Sequence, residues 1–213
     1  MAILLTGFRA FPGAPANPTE DLVRGFEAAQ ATFRTALLPV DWRESWPALK
    51  AAIEEAGARQ VAMFGLAASA PRIRIERTAR NRRDGRADAA GTCADGAVIE
   101  AGPEALSCRL PEKEIGEALK RSGIDFEWSQ DAGAYLCNDT LYRLANHAGD
   151  LGVEDFFFVH VPLSEERVAD WQAAGAWRDD QPSVPAATIR RAAEAIVEAL
   201  TQEGPHETGL RIS

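Results

Sequence analysis

The chain is poor in the residues from which metal sites and disulfide frameworks are made. Its 213 residues include three cysteines and three histidines. Cys93, Cys108 and Cys137 are odd in number, widely spaced and form no CxxC pair, which argues against a zinc site or a disulfide scaffold. We therefore expect no metal and no cofactor. Long apolar runs are missing too: none approaches the ~20 residues that a spanning helix needs. The opening MAILLTGF has a short apolar run with no basic region before it, unlike a secretory signal. Basic charge is in deficit, with 23 Lys and Arg against 32 Asp and Glu and a net charge of −9. That balance excludes a broadly basic surface and, with it, a nucleic-acid or acidic-membrane partner. The expectation is a cytoplasmic protein with no nucleic-acid and no membrane partner.

What the chain does have is 46% apolar residues, enough for a sizeable core. AILLT (2–6) reads as a buried strand ending at Gly7. TEDLVRGFEAA (19–29) has Leu22, Val23 and Phe26 at helical spacing, with Thr19 as its expected N-cap. FRTALLPV (33–40) is a second strand, 44–57 a helix closed by Gly57, and QVAMFG (60–65) a third strand. RIRIERTA (72–79) alternates Ile73 and Ile75 with Arg74 and Glu76, as a half-buried strand does. Residues 82–111 look irregular. A helix follows from Pro111 to Gly123, then a short strand at 125–128 and a helix after Cys137. VEDFFFVHVP (153–162) is the strongest strand, and 186–200 an amphipathic closing helix. Strands alternating with helices, and no internal repeat, predict a single-domain α/β fold. We expect three layers, α/β/α, with a mainly parallel twisted sheet over residues 1–203 and a loose tail at 204–213.

In open α/β sheets ligands bind beyond the carboxyl ends of the strands, so chemistry is expected at those positions. His160 lies just before Pro162 stops the strongest strand; a structural histidine there is the alternative. His147, late in a polar helix, and His206, in the tail, are poorer candidates. Cys137, in DAGAYLCND, falls where an apolar run gives way to a helix. If Asn138 or Asp139 caps that helix, its partial positive charge favours a thiolate; otherwise the cysteine fills a core. Gly133 upstream permits a sharp approach of the backbone. Glu76 alone would be a solvated carboxylate, but beside a Cys–His pair it would orient the imidazole. Phe8 and Phe11, in TGFRAFPGAPANP (6–18), suit a flat apolar ligand or the core equally. That loop lacks the GxxxxGK[ST] and GxGxxG spacings of phosphate cradles. The arginines of RIRIERTARNRRDGR suggest either an anion site on a flavodoxin-like module or a face paired internally with the surplus carboxylates.

Taken in order, these segments resemble the pyroglutamyl peptidase I family, also called pyrrolidone-carboxylate peptidases. LLTGFRAFPG…NP resembles that family's LLTGF-x-PFGG…NP opening, IRIERTARN its ERVAIN segment, AGAYLCND its TAGT[FY]VCNH and FFFVHVP its GFIHVP. The resemblance runs from residue 3 to about residue 200. It implies a cysteine peptidase that removes N-terminal pyroglutamyl residues from peptides, with Cys137 as nucleophile, His160 as base and Glu76 as orienting carboxylate. It further implies a substrate pocket of Phe8, Phe11, Leu66 and Tyr135, support from Arg86 at the oxyanion or its loop, and a homo-oligomer, commonly a tetramer. Some positions depart from the pattern. Ala68, Ser69 and Ala70 replace a Gly-Gly-Arg segment, Pro12 replaces a glycine, Asp139 stands where histidine is usual, and 87–100 is barely recognisable. A homologue that binds a small lactam or amide without turnover is the alternative.

Overall fold

The structure is a computed structural model, and it describes residues 2–29 and 33–202. The expected tail and His206 lie outside the described residues. The chain runs β1 (Ala2–Phe8), α1 (Pro18–Ala28), β2 (Arg34–Leu38), α2 (Ser45–Ala56), β3 (Ala58–Leu66) and β4 (Ile73–Glu76). Four short strands follow: β5 (Thr78–Arg80), β6 (Arg83–Ala87), β7 (Cys93–Gly96) and β8 (Ala105–Ser107). Next come α3 (Glu112–Arg121), β9 (Phe126–Ser129), α4 (Leu136–His147), β10 (Asp155–Val161), β11 (Leu163–Ser164), α5 (Val168–Ala173), β12 (Ser183–Val184) and α6 (Ala186–Gln202).

Six strands form the central sheet in the order β2-β1-β3-β10-β4-β9. Every pairing in it is parallel except that of β10 with β4. Side-chain alternation then sorts the strands into two faces. Ile3, Leu5, Phe64, Phe157, Val159, Ile73 and Ile75 pack with Leu22 and Phe26 of α1, Ile115 and Leu119 of α3, and Ile189 and Ile196 of α6. Leu4, Phe8, Val61, Met63, Phe156 and Phe158 pack with Leu49 and Ile53 of α2 and Leu141 and Leu144 of α4. The fold is therefore the single α/β/α domain that the alternation of elements predicts. The same parity places His160 beside Phe158, and Arg74 and Glu76 opposite the two isoleucines, on the face that α4 covers.

Several local expectations change. Helix α1 starts at Pro18 and its cap is Asn17, whose side chain accepts from the Thr19 N–H. Thr19 is buried because its hydroxyl accepts from the Phe8 N–H at 3.0 Å, tying the helix to the end of β1. The strand expected at 72–79 breaks at Arg77. Its N–H donates to the Ser129 carbonyl, and its own carbonyl accepts from Cys108, so the chain changes partner from β9 to β8. Residues 82–111, read as irregular, hold the antiparallel β6–β7 pair and β8. Their strands are short and half exposed, so no hydrophobic period marks them.

Candidate active site

The site is assembled where β10 ends, and its geometry follows from three tertiary contacts. Strand β10 is buried along its whole length, and its FFFVHV run brings His160 to the carboxyl edge of the sheet. There His160 pairs with Gly65 on the parallel side and Arg74 on the antiparallel side. Two residues along, Glu76 pairs with Phe158. Its Oε1 reaches diagonally to His160 Nδ1 at 2.8 Å. Glu76 is fully buried and His160 nearly so, so the alternative of an isolated, solvated carboxylate does not hold. The carboxylate also has the Arg74 guanidinium 3.8 Å away.

Cys137 approaches from above on α4. Gly133, at φ 84, takes the left-handed conformation in the loop before it. The helix then starts at Leu136, with Tyr135 at the cap and no side-chain capping bond. The expected caps, Asn138 and Asp139, lie inside the first turn instead, because both side chains are engaged elsewhere. Asn138 accepts from the Arg80 N–H at 2.8 Å and donates to the Arg80 and Arg82 carbonyls. Asp139, almost completely buried, accepts from Arg83 Nε at 2.8 Å and Arg143 Nε at 2.9 Å. These bonds lock α4 to β5 and β6. Cys137 remains in the first turn, where backbone N–H groups lack intrahelical acceptors and the dipole favours negative charge on sulfur.

The thiol and the imidazole line the same cavity. Burial by itself would lower the His160 pKa, but hydrogen bonding of the protonated ring to Cys137 and Glu76, and their negative charge, outweigh it and raise it to about 9. With Nδ1 taken by Glu76, Nε2 is the nitrogen left for the thiol. Directly beneath, β3 passes with no side chain at Gly65: a Cβ there would lie 2.6 Å from the Phe158 ring and 2.9 Å from Cys137 Sγ. The glycine is what allows the sulfur to settle against the sheet, a requirement that the sequence alone did not signal.

Around this group lies a cavity of about 710 Å³, lined by Phe8, Phe11, Leu66, Tyr135, Cys137 and His160 among others. All four residues expected to form the pocket line it. Phe8, placed by the sequence in the loop after the first strand with ligand contact and core packing both open, is the last residue of β1 and only 4% exposed; its ring serves the core and the cavity wall together. Phe11 is half-buried, with its ring 6.2 Å from that of Tyr135. Arg86 also reaches the cavity. Its guanidinium lies 4.4 Å above the Tyr135 ring and its Nε donates to Asp84 at 2.7 Å. The Tyr135 hydroxyl donates to the Ala87 carbonyl, and burial, partly opposed by Arg86, raises its pKa to about 12.

The basic cluster resolves into ion pairs. Arg72 faces Asp125, Arg74 faces Glu127, Arg77 faces Glu112, and Arg80 and Arg82 face Asp131. With Arg83 on Asp139 and Arg86 on Asp84, the arginines have carboxylate partners within the protein, which leaves the anion-binding module without support. His147 lies away from the site, stacked on Trp46 at 5.4 Å. Cys108 is half-buried; desolvation, and then the nearby Glu76 charge, push its pKa up to about 12, so it is poorly suited to form a thiolate. Among the described residues no group of three or more His, Cys, Asp or Glu is placed to hold a metal ion.

A thiol and an imidazole on one cavity at the strand ends of an open α/β sheet, with a buried carboxylate bonded behind the imidazole, have the layout of a hydrolytic enzyme. The chain belongs to the pyroglutamyl peptidase family, whose model matches residues 1–203. It is 33% identical to a pyrrolidone-carboxylate peptidase of Halalkalibacterium halodurans over 93% of this chain and 98% of that one. Against a namesake from Klebsiella pneumoniae it is 33% identical over 97% and 96%. Among solved structures, the pyrrolidone carboxyl peptidase of Pyrococcus furiosus superposes with a TM-score of 0.83 at 31% identity, covering 94% of this chain and 99% of that one. The enzyme of Fervidobacterium islandicum superposes at 0.84 with 28% identity, covering 94% and 98%.

Proposed function

We infer that the protein is a cysteine peptidase that removes an N-terminal pyroglutamyl residue from peptides, with Cys137 as nucleophile, His160 as base and Glu76 as the carboxylate orienting it. The observation that carries this reading is the buried Glu76–His160 bond, with His160 and Cys137 lining one cavity. In the reaction, the thiol proton passes to His160 Nε2, whose raised pKa keeps it there at neutral pH, and the sulfur attacks the carbonyl that joins the lactam residue to the next amino acid. Glu76 holds the proton on Nδ1 and stabilises the imidazolium as it forms. Backbone N–H groups of the first turn of α4, with Cys137 the natural donor, face the developing oxyanion, and Arg86 supports the loop beside them. His160 then protonates the departing amine, the C–N bond breaks, and a pyroglutamyl thioester remains on Cys137. Water, deprotonated by His160, hydrolyses the thioester and restores the thiol.

Specificity follows from the chemistry of the lactam. Its ring is flat and neutral, and Phe8, Phe11, Leu66 and Tyr135 offer an apolar slot of that shape. An ordinary N-terminal ammonium would be desolvated there without a partner, at a cost of roughly several kcal/mol. The family resemblance extends the reading to a cytoplasmic setting and a homotetramer. Among the described residues no helix is long and apolar enough to cross a membrane. The alternative, a lactam-binding homologue without turnover, finds no support in relatives named as peptidases.

The test is hydrolysis of a pyroglutamyl chromogenic amide with and without a thiol alkylator. Turnover abolished by alkylation and by Cys137→Ala supports the reading. Binding without turnover, or turnover indifferent to both treatments, overturns it.

A further inference from the structure

One wall of the cavity is built by a segment that the thiol, imidazole and carboxylate do not use. Helix α5 carries Trp171, whose indole N–H donates to the Ala16 carbonyl at 2.9 Å and so latches the segment to the loop after β1. The chain then turns, with the Gln181 N–H donating to the Arg178 carbonyl at 2.9 Å. It enters β12, which pairs in parallel with β11 just beyond the His160 strand. Gln181 is thus held by backbone bonds on both sides, close to the end of β10.

The Gln181 side chain is 8% exposed and lines the same cavity as Cys137 and His160. Its Nε2 is buried and has no hydrogen-bond partner among the described residues. Several other polar groups on the wall are engaged. Arg74 donates to Ser129 at 2.9 Å and faces Glu127 at 3.1 Å, Arg86 is on Asp84, and Asn17 is on Thr19 and the Arg9 carbonyl. A buried amide without a partner forfeits the bonds it made to water, and a ligand acceptor brought into the cavity restores them. The amide N–H is a neutral donor, so the acceptor it fits is a neutral carbonyl oxygen.

We propose that Gln181 is a substrate-binding residue, its side-chain amide donating a hydrogen bond to a carbonyl oxygen of the peptide in the cavity. This rests on the pyroglutamyl peptidase reading and extends it to a residue outside both the reacting groups and the aromatic slot. The carbonyl has two sources: the pyroglutamyl residue, or the main chain of the residue that leaves.

Steady-state kinetics of the wild type, Gln181→Leu and Gln181→Glu distinguish these, using a pyroglutamyl arylamide and a pyroglutamyl dipeptide amide, with thermal unfolding of each variant alongside. The leucine variant is expected to raise KM about tenfold and leave kcat within about twofold, because the bond exists in ground and transition states alike. Its melting temperature should be unchanged or higher, since leucine removes a buried unpaired amide. The glutamate variant should raise KM at least as much, because an ionised carboxylate offers a carbonyl no donor. A rise on both substrates assigns the bond to the pyroglutamyl residue, and a rise on the dipeptide amide alone assigns it to the leaving residue; either supports the proposal. Unchanged KM on both substrates overturns it, as does a lowered melting temperature with kcat falling and KM unmoved. A wild type that hydrolyses neither substrate overturns the peptidase reading and this proposal together. A wild type that works while the leucine variant matches it overturns the proposal alone.

Discussion

Glu76 Oε1 and His160 Nδ1 lie 2.8 Å apart across the one antiparallel pairing of the central sheet, both on the face that α4 covers. The bond settles which imidazole nitrogen is free to meet sulfur. Removing the charge while keeping the shape, as Glu76→Gln does, should lower kcat by roughly 10²–10⁴-fold. Because that charge helps to raise the His160 pKa, the variant's pH–rate profile should also move to lower pH. A kcat within a few fold of wild type would show that the carboxylate has no catalytic role.

The pH dependence of stability gives a second test. His160 is raised from 6.5 to about 9 in the folded protein, against the effect of burial and by virtue of Cys137 and Glu76. A raised folded-state value means that the native state holds the proton more tightly. The contribution is therefore fully present below pH 6.5 and is lost as pH rises through about 9, a change on the order of 3 kcal/mol. Urea unfolding across pH 6 to 10, as an approximate range, should show this decline. In Cys137→Ala the decline should be smaller and displaced to lower pH. Identical profiles for the two proteins would contradict the coupling of thiol and imidazole.

Gly65 provides a steric test. Its substitution by alanine would set a methyl group 2.6 Å from the Phe158 ring and 2.9 Å from Cys137 Sγ, a clash costing roughly 1–3 kcal/mol of stability. Because the sulfur is one of the atoms displaced, kcat should fall by about 100-fold, since a small misplacement at the reacting atom has that effect. Full activity in Gly65→Ala would mean that the thiol does not sit against β3.

Asp139 is a buried carboxylate between Arg83 and Arg143. Asp139→Ala leaves two guanidinium groups without their partner, and breaking a buried pair in this way costs roughly 3–5 kcal/mol. The denaturation midpoint should fall accordingly. Since Arg83 also donates to the Ala97 and Val98 carbonyls, the β6–β7 pair beside the cavity should loosen and exchange its amide hydrogens faster. An unchanged midpoint would show that the cluster contributes nothing net.

Much of the site could be read from local sequence because its residues occupy marked places. His160 closes the most apolar run in the chain, Cys137 opens a helix, and Glu76 follows an Ile-x-Ile alternation whose parity fixes its face. What local pattern could not carry was long-range. Asn138 is drawn away from capping by backbone groups more than fifty residues distant. Phe8 looks like a loop residue until its pairing with Leu38 of β2 extends β1 to include it. The break at Arg77 depends on Ser129 and Cys108 together. Gly65 and Gln181 carry no motif, since their importance lies in what stands opposite them.

The central claim concerns one covalent bond, and quenched-flow mass spectrometry with a pyroglutamyl ester substrate tests it most directly. The account predicts a transient pyroglutamyl adduct that maps to the peptide containing Cys137, is labile to hydroxylamine, and is missing from Cys137→Ala. An adduct on another residue, or sustained turnover by Cys137→Ala, would contradict it.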